Sequence, residues 1–220
     1  MIDNHIITKP LFTKEECNHI TEIMGELEPI PGKVAGNYRQ LDENTRKVKI
    51  CAGSKFVRDY NNGEYTWIQE RLYKVVKDIN EKIYKFDIVS FEKSIVPLFP
   101  IQFLRYEEGD FYNEHTDMGS NMTFKSKEDG KVYGRTISMS LQLSEENDYE
   151  GGHLVMVNED EQYSKITSRK QGDLILFPSP TKHAVTEVTS GKRDCLVWWV
   201  LGPYDDLKNY VKNMNNNVVI

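Results

Sequence analysis

The chain has 220 residues, 39% of them apolar and 11% aromatic, enough to bury a core and too much for wholesale disorder. A net charge of −6 lacks the basic footprint of a nucleic-acid binder, and the longest apolar run, the seven residues Cys195–Leu201, falls far short of the roughly 20 that cross a membrane. Cys17, Cys51 and Cys195 are too scattered for a disulfide framework or a paired-cysteine zinc site, and Met1-Ile2-Asp3-Asn4-His5 carries no secretory pattern. The expectation is a soluble, cytoplasmic, single globular domain with neither nucleic-acid nor membrane partners; the oligomeric state stays open.

In chain order, Thr13-Lys14-Glu15-Glu16 has the pattern of a capping box, and Cys17, Ile20, Ile23, Met24 and Leu27 follow at helical spacing. Pro29–Asn44, rich in Gly, Pro and polar residues, reads as a long loop of the kind used as a lid. A second helix is predicted after Asn62-Gly63, with Trp67, Ile68, Leu72, Val75, Val76, Ile79 and Ile83 along one stripe.

From about Phe86 the pattern turns to short strands. Candidates are Ile101–Tyr106, Thr136–Leu143, His153–Val157, Asp173–Phe177, His183–Val188 and Arg193–Leu201. Turn signals at Glu108-Gly109-Asp110, Glu150-Gly151-Gly152, Gln171-Gly172-Asp173 and Ser190-Gly191-Lys192 separate them. Met118–Gly134 is polar and reads as a second loop, and Asn213–Asn217 as a fraying end. The fold class expected is mainly β with bracing helices, an antiparallel barrel or jelly roll. Its parts are helical support over about 1–85, a jelly roll over about 86–202 and a C-terminal helix or tail over 203–220.

The stretch Phe111-Tyr112-Asn113-Glu114-His115-Thr116-Asp117 carries the most chemistry. In extended chain, residues two apart share a face, so His115 and Asp117 project together. With one distant histidine they would form a two-histidine, one-carboxylate set that holds iron(II) and leaves adjacent positions open. Alone, the pair is equally a surface or capping pair. His183 heads a strand after a Pro-broken loop and is the candidate partner. Arg193 opens the apolar strand Asp194–Leu201, where its fork suits a carboxylate, either a ligand's or that of an internal ion pair.

Several blocks then fall in order. They are Tyr106…Gly109…Tyr112…His115-x-Asp117, Arg135-Thr136-Ile137-Ser138, Leu143-Ser144…Tyr149-Glu150-Gly151-Gly152, Gly172-Asp173-Leu174…Phe177-Pro178…His183, and Gly191-Lys192-Arg193. Over roughly Pro100–Leu201 the chain resembles the iron(II)/2-oxoglutarate-dependent oxygenases, and within them the prolyl 4-hydroxylase branch with its PKHD-type members. The resemblance implies a double-stranded β-helix with the N-terminal helices packed on one sheet. It implies His115, Asp117 and His183 as iron ligands and Arg193 as the partner of the far carboxylate of 2-oxoglutarate, these four being the catalytic set. Tyr106 would reach the cosubstrate, and Trp199 would stand near the metal. Gln142 stands where many relatives place a cosubstrate-contacting tyrosine, so that contact is in question. His153, after Gly151-Gly152, reads as a strand-surface residue outside the ligand set.

The resemblance also implies Fe(II), 2-oxoglutarate and O2, with ascorbate as a reductant, and hydroxylation of a peptidyl proline with release of succinate and CO2. A substrate loop would match Gly32–Lys49, with Tyr38, Arg39 and Arg46 as candidate contacts; its basic end is equally a solvated charge run. The carboxylate at Asp117 favours hydroxylation over halogenation. The same chemistry on a free amino acid or other small molecule remains open, as do a non-catalytic jelly-roll binding module and a zinc-holding pseudoenzyme.

Overall fold

The structure is a computed structural model that describes residues 6–26, 28–32, 44–50, 66–89, 101–119, 123–127, 129–157 and 163–216. Helix α1 spans Lys14–Gly25, α2 Thr66–Ile79 and α3 Tyr204–Asn216. The early strands are β1 (Ile7–Pro10), β2 (Ile30–Pro31), β3 (Arg46–Lys47) and β4 (Lys49–Ile50). Then come β5 (Gln102–Glu107), β6 (Phe111–His115), β7 (Phe124–Lys125), β8 (Val132–Gln142) and β9 (Tyr149–Gly151). The last are β10 (Leu154–Val157), β11 (Tyr163–Ile166), β12 (Asp173–Pro178), β13 (His183–Val185) and β14 (Val188–Pro203).

Among the described residues, one sheet runs β1-β12-β8-β14-β5-β4-β2, with β7 added to β8 and β9 to β14. The other runs β11-β10-β13-β6-β3, and every pairing is antiparallel. This is the jelly roll expected from the sequence. Side-chain alternation decides which residues face the barrel. On β12, Leu174 and Leu176 face the helices, while Ile175 and Phe177 face inward. On β14, Leu196, Trp198 and Val200 join the helical side and Cys195 the interior.

The helices brace the outer face of the larger sheet. Ile20 and Met24 of α1, Ile68, Leu72 and Val76 of α2 and Leu207 of α3 are fully buried there against Leu141, Leu174 and Leu196. The capping box forms as read: Thr13 Oγ1 accepts from the Glu16 N–H, and Glu16 Oε2 accepts from the Thr13 N–H. Arg71 of α2 reaches both Glu16 oxygens at 2.7 Å, tying the two helices together.

Several expectations need correction. The stripe of α2 does not continue to Ile83, which is 40% exposed. A π-helical turn at Asn80–Tyr84 shifts the register by one residue, so Tyr84 is buried instead. The segment Met118–Gly134 is not one loop: β7 and the start of β8 pair inside it, with Phe124 stacked on Tyr133. Ser190-Gly191-Lys192 is not a turn between strands. It lies within β14, which leaves β9 and continues between β5 and β8. Gly191, at φ 74°, absorbs that change of partner. Asn213–Asn216 remains in α3. The short strand β2 lies within the Pro29–Asn44 loop, whose residues 33–43 fall outside the described ones.

Candidate metal and cosubstrate site

His115 ends β6 and His183 begins β13, and the antiparallel ladder makes them register partners. Asp117 follows where the chain leaves β6, held by its N–H to the Ser179 carbonyl at 3.0 Å. Ser179 in turn precedes His183 in the Pro-broken loop, so one loop positions both the carboxylate and the second imidazole. His115 Nδ1 lies 2.8 Å from the Asn113 carbonyl, and His183 Nδ1 lies 2.8 Å from that of Thr181. A carbonyl accepts only, so each Nδ1 carries the proton and each Nε2 is left as a lone-pair donor.

Those Nε2 atoms lie 4.0 and 3.6 Å from the Asp117 carboxylate oxygens. Among the described residues, the ligand atoms of His115, Asp117 and His183 all lie within 4.8 Å of one another, so the three could hold a metal ion. Their protonation suits it. Burial, then the nearness of His183, lowers His115 to about 3, so the ring is neutral. Burial alone would raise Asp117, but His183, His115, Arg135 and a hydrogen bond from Trp199 outweigh it and hold the carboxyl at about 2. Two imidazoles with Nε2 turned inward and an ionised carboxylate form a donor set that fits iron(II).

The walls around the three are aromatic and cationic. Tyr112 stacks on His115 with ring centroids 3.5 Å apart, and the Arg46 guanidinium lies 4.5 Å above Tyr112. Phe177 meets His183 edge-on at 4.7 Å. Arg135 lies over the Trp199 ring, 3.5 Å from its centroid, and places Nη1 3.8 Å from Asp117. The sequence reading named Arg135 only as part of a motif. Its signal was an arginine entering an otherwise buried strand, a position that calls for a carboxylate partner.

Arg193 is 1% exposed and faces the barrel interior, as the alternation from Cys195 requires. The neighbouring carboxylate does not pair with it: Asp194 points to the opposite face and accepts from Nε and Nη2 of Arg105, each at 2.8 Å. Instead Arg193 Nε donates to Gln142 Oε1 at 3.2 Å, and its Nη1 is buried with no hydrogen-bond partner. Tyr106, 1% exposed, has its ring 5.4 Å from the guanidinium, and burial pushes its phenol upward. Of the internal-ion-pair and ligand alternatives for Arg193, the first finds no carboxylate among the described residues.

The structure separates the remaining candidates. His153 does not lie within a strand: it precedes β10, its carbonyl accepts from the Thr186 N–H and its N–H donates to Thr186 Oγ1, and it is partly buried, with Nδ1 enclosed. Its side chain is thus less exposed than a strand-surface histidine. Tyr38 and Arg39 lie outside the described residues. Arg46 is buried on Tyr112, while Lys47 lies 3.5 Å from Asp110 and Lys49 pairs with Glu107. Those lysines therefore fasten β3 and β4 to the turn and strand end between β5 and β6.

Comparison with known proteins places the chain. The family described as "2OG-Fe(II) oxygenase superfamily" matches residues 101–201. A PKHD-type hydroxylase of Gloeothece citriformis is 30% identical over 200 residues, covering 89% of this chain and 77% of the relative. The chain belongs to the 2OG-Fe(II) oxygenase superfamily, as a PKHD-type member. A PKHD-type hydroxylase of Alteromonas mediterranea is 29% identical over 91% of this chain and 80% of its own length. One from Shewanella oneidensis is 39% identical over 50% of this chain, a match that spans about half, 47%, of that relative.

Solved structures share the oxygenase fold at lower identity. A Pseudomonas putida prolyl-4-hydroxylase has a TM-score of 0.57 at 19% identity, over 90% of this chain and 94% of that one. A Trichoplax adhaerens prolyl hydroxylase, in complex with a hypoxia inducible factor peptide fragment, has a TM-score of 0.64 at 15% identity, over 94% and 87%. Among the described residues, no helix is long and apolar enough to cross a membrane.

Proposed function

We propose that this PKHD-type oxygenase acts as a single catalytic domain that hydroxylates a peptidyl proline, using iron(II), O2 and 2-oxoglutarate. His115, Asp117 and His183 are the iron ligands, and Arg193 anchors the far carboxylate of 2-oxoglutarate. The observation that carries this reading is the pairing of two features on one barrel interior. One is a donor set with both Nε2 atoms turned to an ionised carboxylate; the other is a buried guanidinium nitrogen without a partner. An unpaired charge so deep is costly, and a dicarboxylate would neutralise it.

Iron(II) bound by the three ligands supplies the centre at which 2-oxoglutarate and O2 react, with succinate and CO2 as products and a hydroxyl left on the substrate. The protein's own part is positional. The Asn113 and Thr181 carbonyls fix the tautomers, Arg135 and Trp199 steady Asp117, and Gln142 holds the Arg193 fork. Arg46, beside the ring that backs His115, is the described candidate on the substrate side. The prolyl substrate is supported by the PKHD-type relatives and by the prolyl hydroxylase structures, one of which holds a peptide.

The test is an anaerobic visible titration with iron(II) and then 2-oxoglutarate, with Asp117→Ala and Arg193→Ala as controls. A charge-transfer band that needs both ligands, disappears in the first control and weakens in the second is the expected result. No band from folded wild-type protein overturns the oxygenase reading. Succinate formation is then measured with proline-containing peptides and with free amino acids. Stimulation by the free amino acids alone would replace the peptide with a small-molecule substrate.

A further inference from the structure

The loop between β12 and β13 starts where a ladder ends. Phe177 and Pro178 pair with Ser138 and Ile137 of β8, and Ser179 is the first residue beyond that register. Two hydroxyls meet there: Ser138 Oγ and Ser179 Oγ lie 2.9 Å apart, with Ser138 1% and Ser179 0% exposed. Ser138 faces the barrel interior, since Ile137 and Met139 on either side of it join the helical core. Its register partner on the same face, Phe177, is apolar. A hydroxyl so deep costs desolvation unless it is bonded, so the pair needs a reason beyond packing.

Ser179 is where the loop takes hold of the carboxylate. Its carbonyl accepts from the N–H groups of Asp117 and Met118, at 3.0 and 3.2 Å, and its N–H donates to the Thr136 carbonyl at 2.9 Å. Asp117 stands two residues past the end of β6, where the β6–β13 ladder does not reach it. Downstream, the Thr181 N–H closes a turn on the Pro178 carbonyl at 2.9 Å, and the Thr181 carbonyl meets Nδ1 of His183 at 2.8 Å. The segment from Pro178 to His183 thus sets the carboxylate at its start and the imidazole at its end. The hydroxyl pair fixes that start against β8, while the His115 ring is oriented separately, by the Asn113 carbonyl.

We propose that Ser138 and Ser179 are positioning residues of the metal site: their hydroxyl–hydroxyl bond locks the loop so that Asp117 and His183 are presented together. This rests on the reading that those two residues are metal ligands. Neither serine belongs to the ligand set; the pair acts through the Ser179 carbonyl and the turn that follows it. The ladder that ends at Pro178 already joins β12 to β8, so losing the hydroxyl bond loosens the turn more than the sheet. Two ligands then lose their common setting, and the metal must order them as it binds.

The test measures iron(II) affinity by anaerobic titration calorimetry in wild type, Ser138→Ala, Ser179→Ala and the double variant, with His115→Ala as control. Melting temperatures of the metal-free proteins are taken alongside. Each single variant should weaken iron(II) roughly tenfold, the lower end of the loss for removing a group that orients metal ligands. The double variant should bind no more weakly than the singles, because all three lack the same bond. Ser138→Thr, which keeps a hydroxyl, should recover most of the affinity; a loss equal to that of Ser138→Ala takes the role away from the hydroxyl and overturns the proposal. Cobalt(II) bound to the single variants should show visible bands shifted or changed in intensity, which a packing role would leave alone. Losses that multiply to roughly a hundredfold in the double variant show the hydroxyls acting separately, and also overturn it. Lowered melting temperatures with wild-type iron affinity and cobalt spectrum make the pair structural and overturn it too. Wild-type affinity in His115→Ala overturns the underlying ligand reading itself.

Discussion

His115 and His183 are register partners across the β6–β13 ladder, and each ring turns Nδ1 to the carbonyl two residues earlier in its own chain, at 2.8 Å in both cases. The repeated local bond gives both rings the same tautomer and leaves both Nε2 atoms toward Asp117. Backbone geometry therefore prepares the donor set before any metal arrives.

That arrangement makes the imidazoles irreplaceable by other polar groups. His183→Gln should lower iron(II) affinity by at least roughly tenfold, since an amide neither matches the imidazole donor nor keeps the Thr181 bond. Anaerobic metal titration checks this, and circular dichroism should show the fold retained. Wild-type affinity in the variant would remove His183 from the ligand set.

Arg135 acts on the metal site through Asp117. It lies against Trp199 at 3.5 Å and 3.8 Å from the carboxylate, so it fixes where the oxygens point. Arg135→Met should reduce metal affinity roughly tenfold or more while Arg135→Lys recovers part of it, the charge returning without the flat stacking surface. A variant that loses only thermal stability, with metal affinity intact, would show that Arg135 serves packing alone.

Gly172 joins the N-terminal strand to the barrel. At φ 84° it lies outside the range of ordinary side chains, and a Cβ would sit 2.0 Å from the Phe12 carbonyl oxygen. Its own carbonyl accepts from the Leu11 and Phe12 N–H groups at 2.9 and 3.2 Å. Gly172→Ala should cost roughly 2 kcal/mol or more of unfolding free energy, measured by urea denaturation. A loss below roughly 0.5 kcal/mol would mean the loop yields without strain.

The fold should be alkali-sensitive. Burial raises the Cys17 thiol to about 12, and burial also raises Tyr84, Tyr210 and Cys195. Each group keeps its proton in the folded chain at a pH where the unfolded chain has lost it, so stability falls as pH rises through the unfolded values. The melting temperature should drop progressively above about pH 9. Cys17→Ala should flatten that decline; an equally steep curve would assign the sensitivity to the tyrosines and Cys195.

How far the chain was legible depended on the range of the interaction. The capping box at Thr13 and Glu16 and the apolar stripe of α2 are local, and they form as written until the π-turn exposes Ile83 and buries Tyr84. That shift comes from Asn80, whose side chain binds the Phe86 backbone at both its N–H and its carbonyl. Ser190-Gly191-Lys192 had turn composition, but a glycine with positive φ also serves where one strand changes partners, and composition does not separate the two.

By itself the sequence determined the jelly-roll class, the shared face of His115 and Asp117, and the family, because strand alternation, two-residue spacing and ordered motifs are written along the chain. Only the tertiary structure decided that Asp194 satisfies Arg105 and leaves Arg193 to the barrel, and that Arg135 and Trp199 stand behind Asp117. Those relations join β5, β8 and β14. Whether a buried polar atom has a partner depends on which strands become neighbours, and local periodicity carries no record of that pairing.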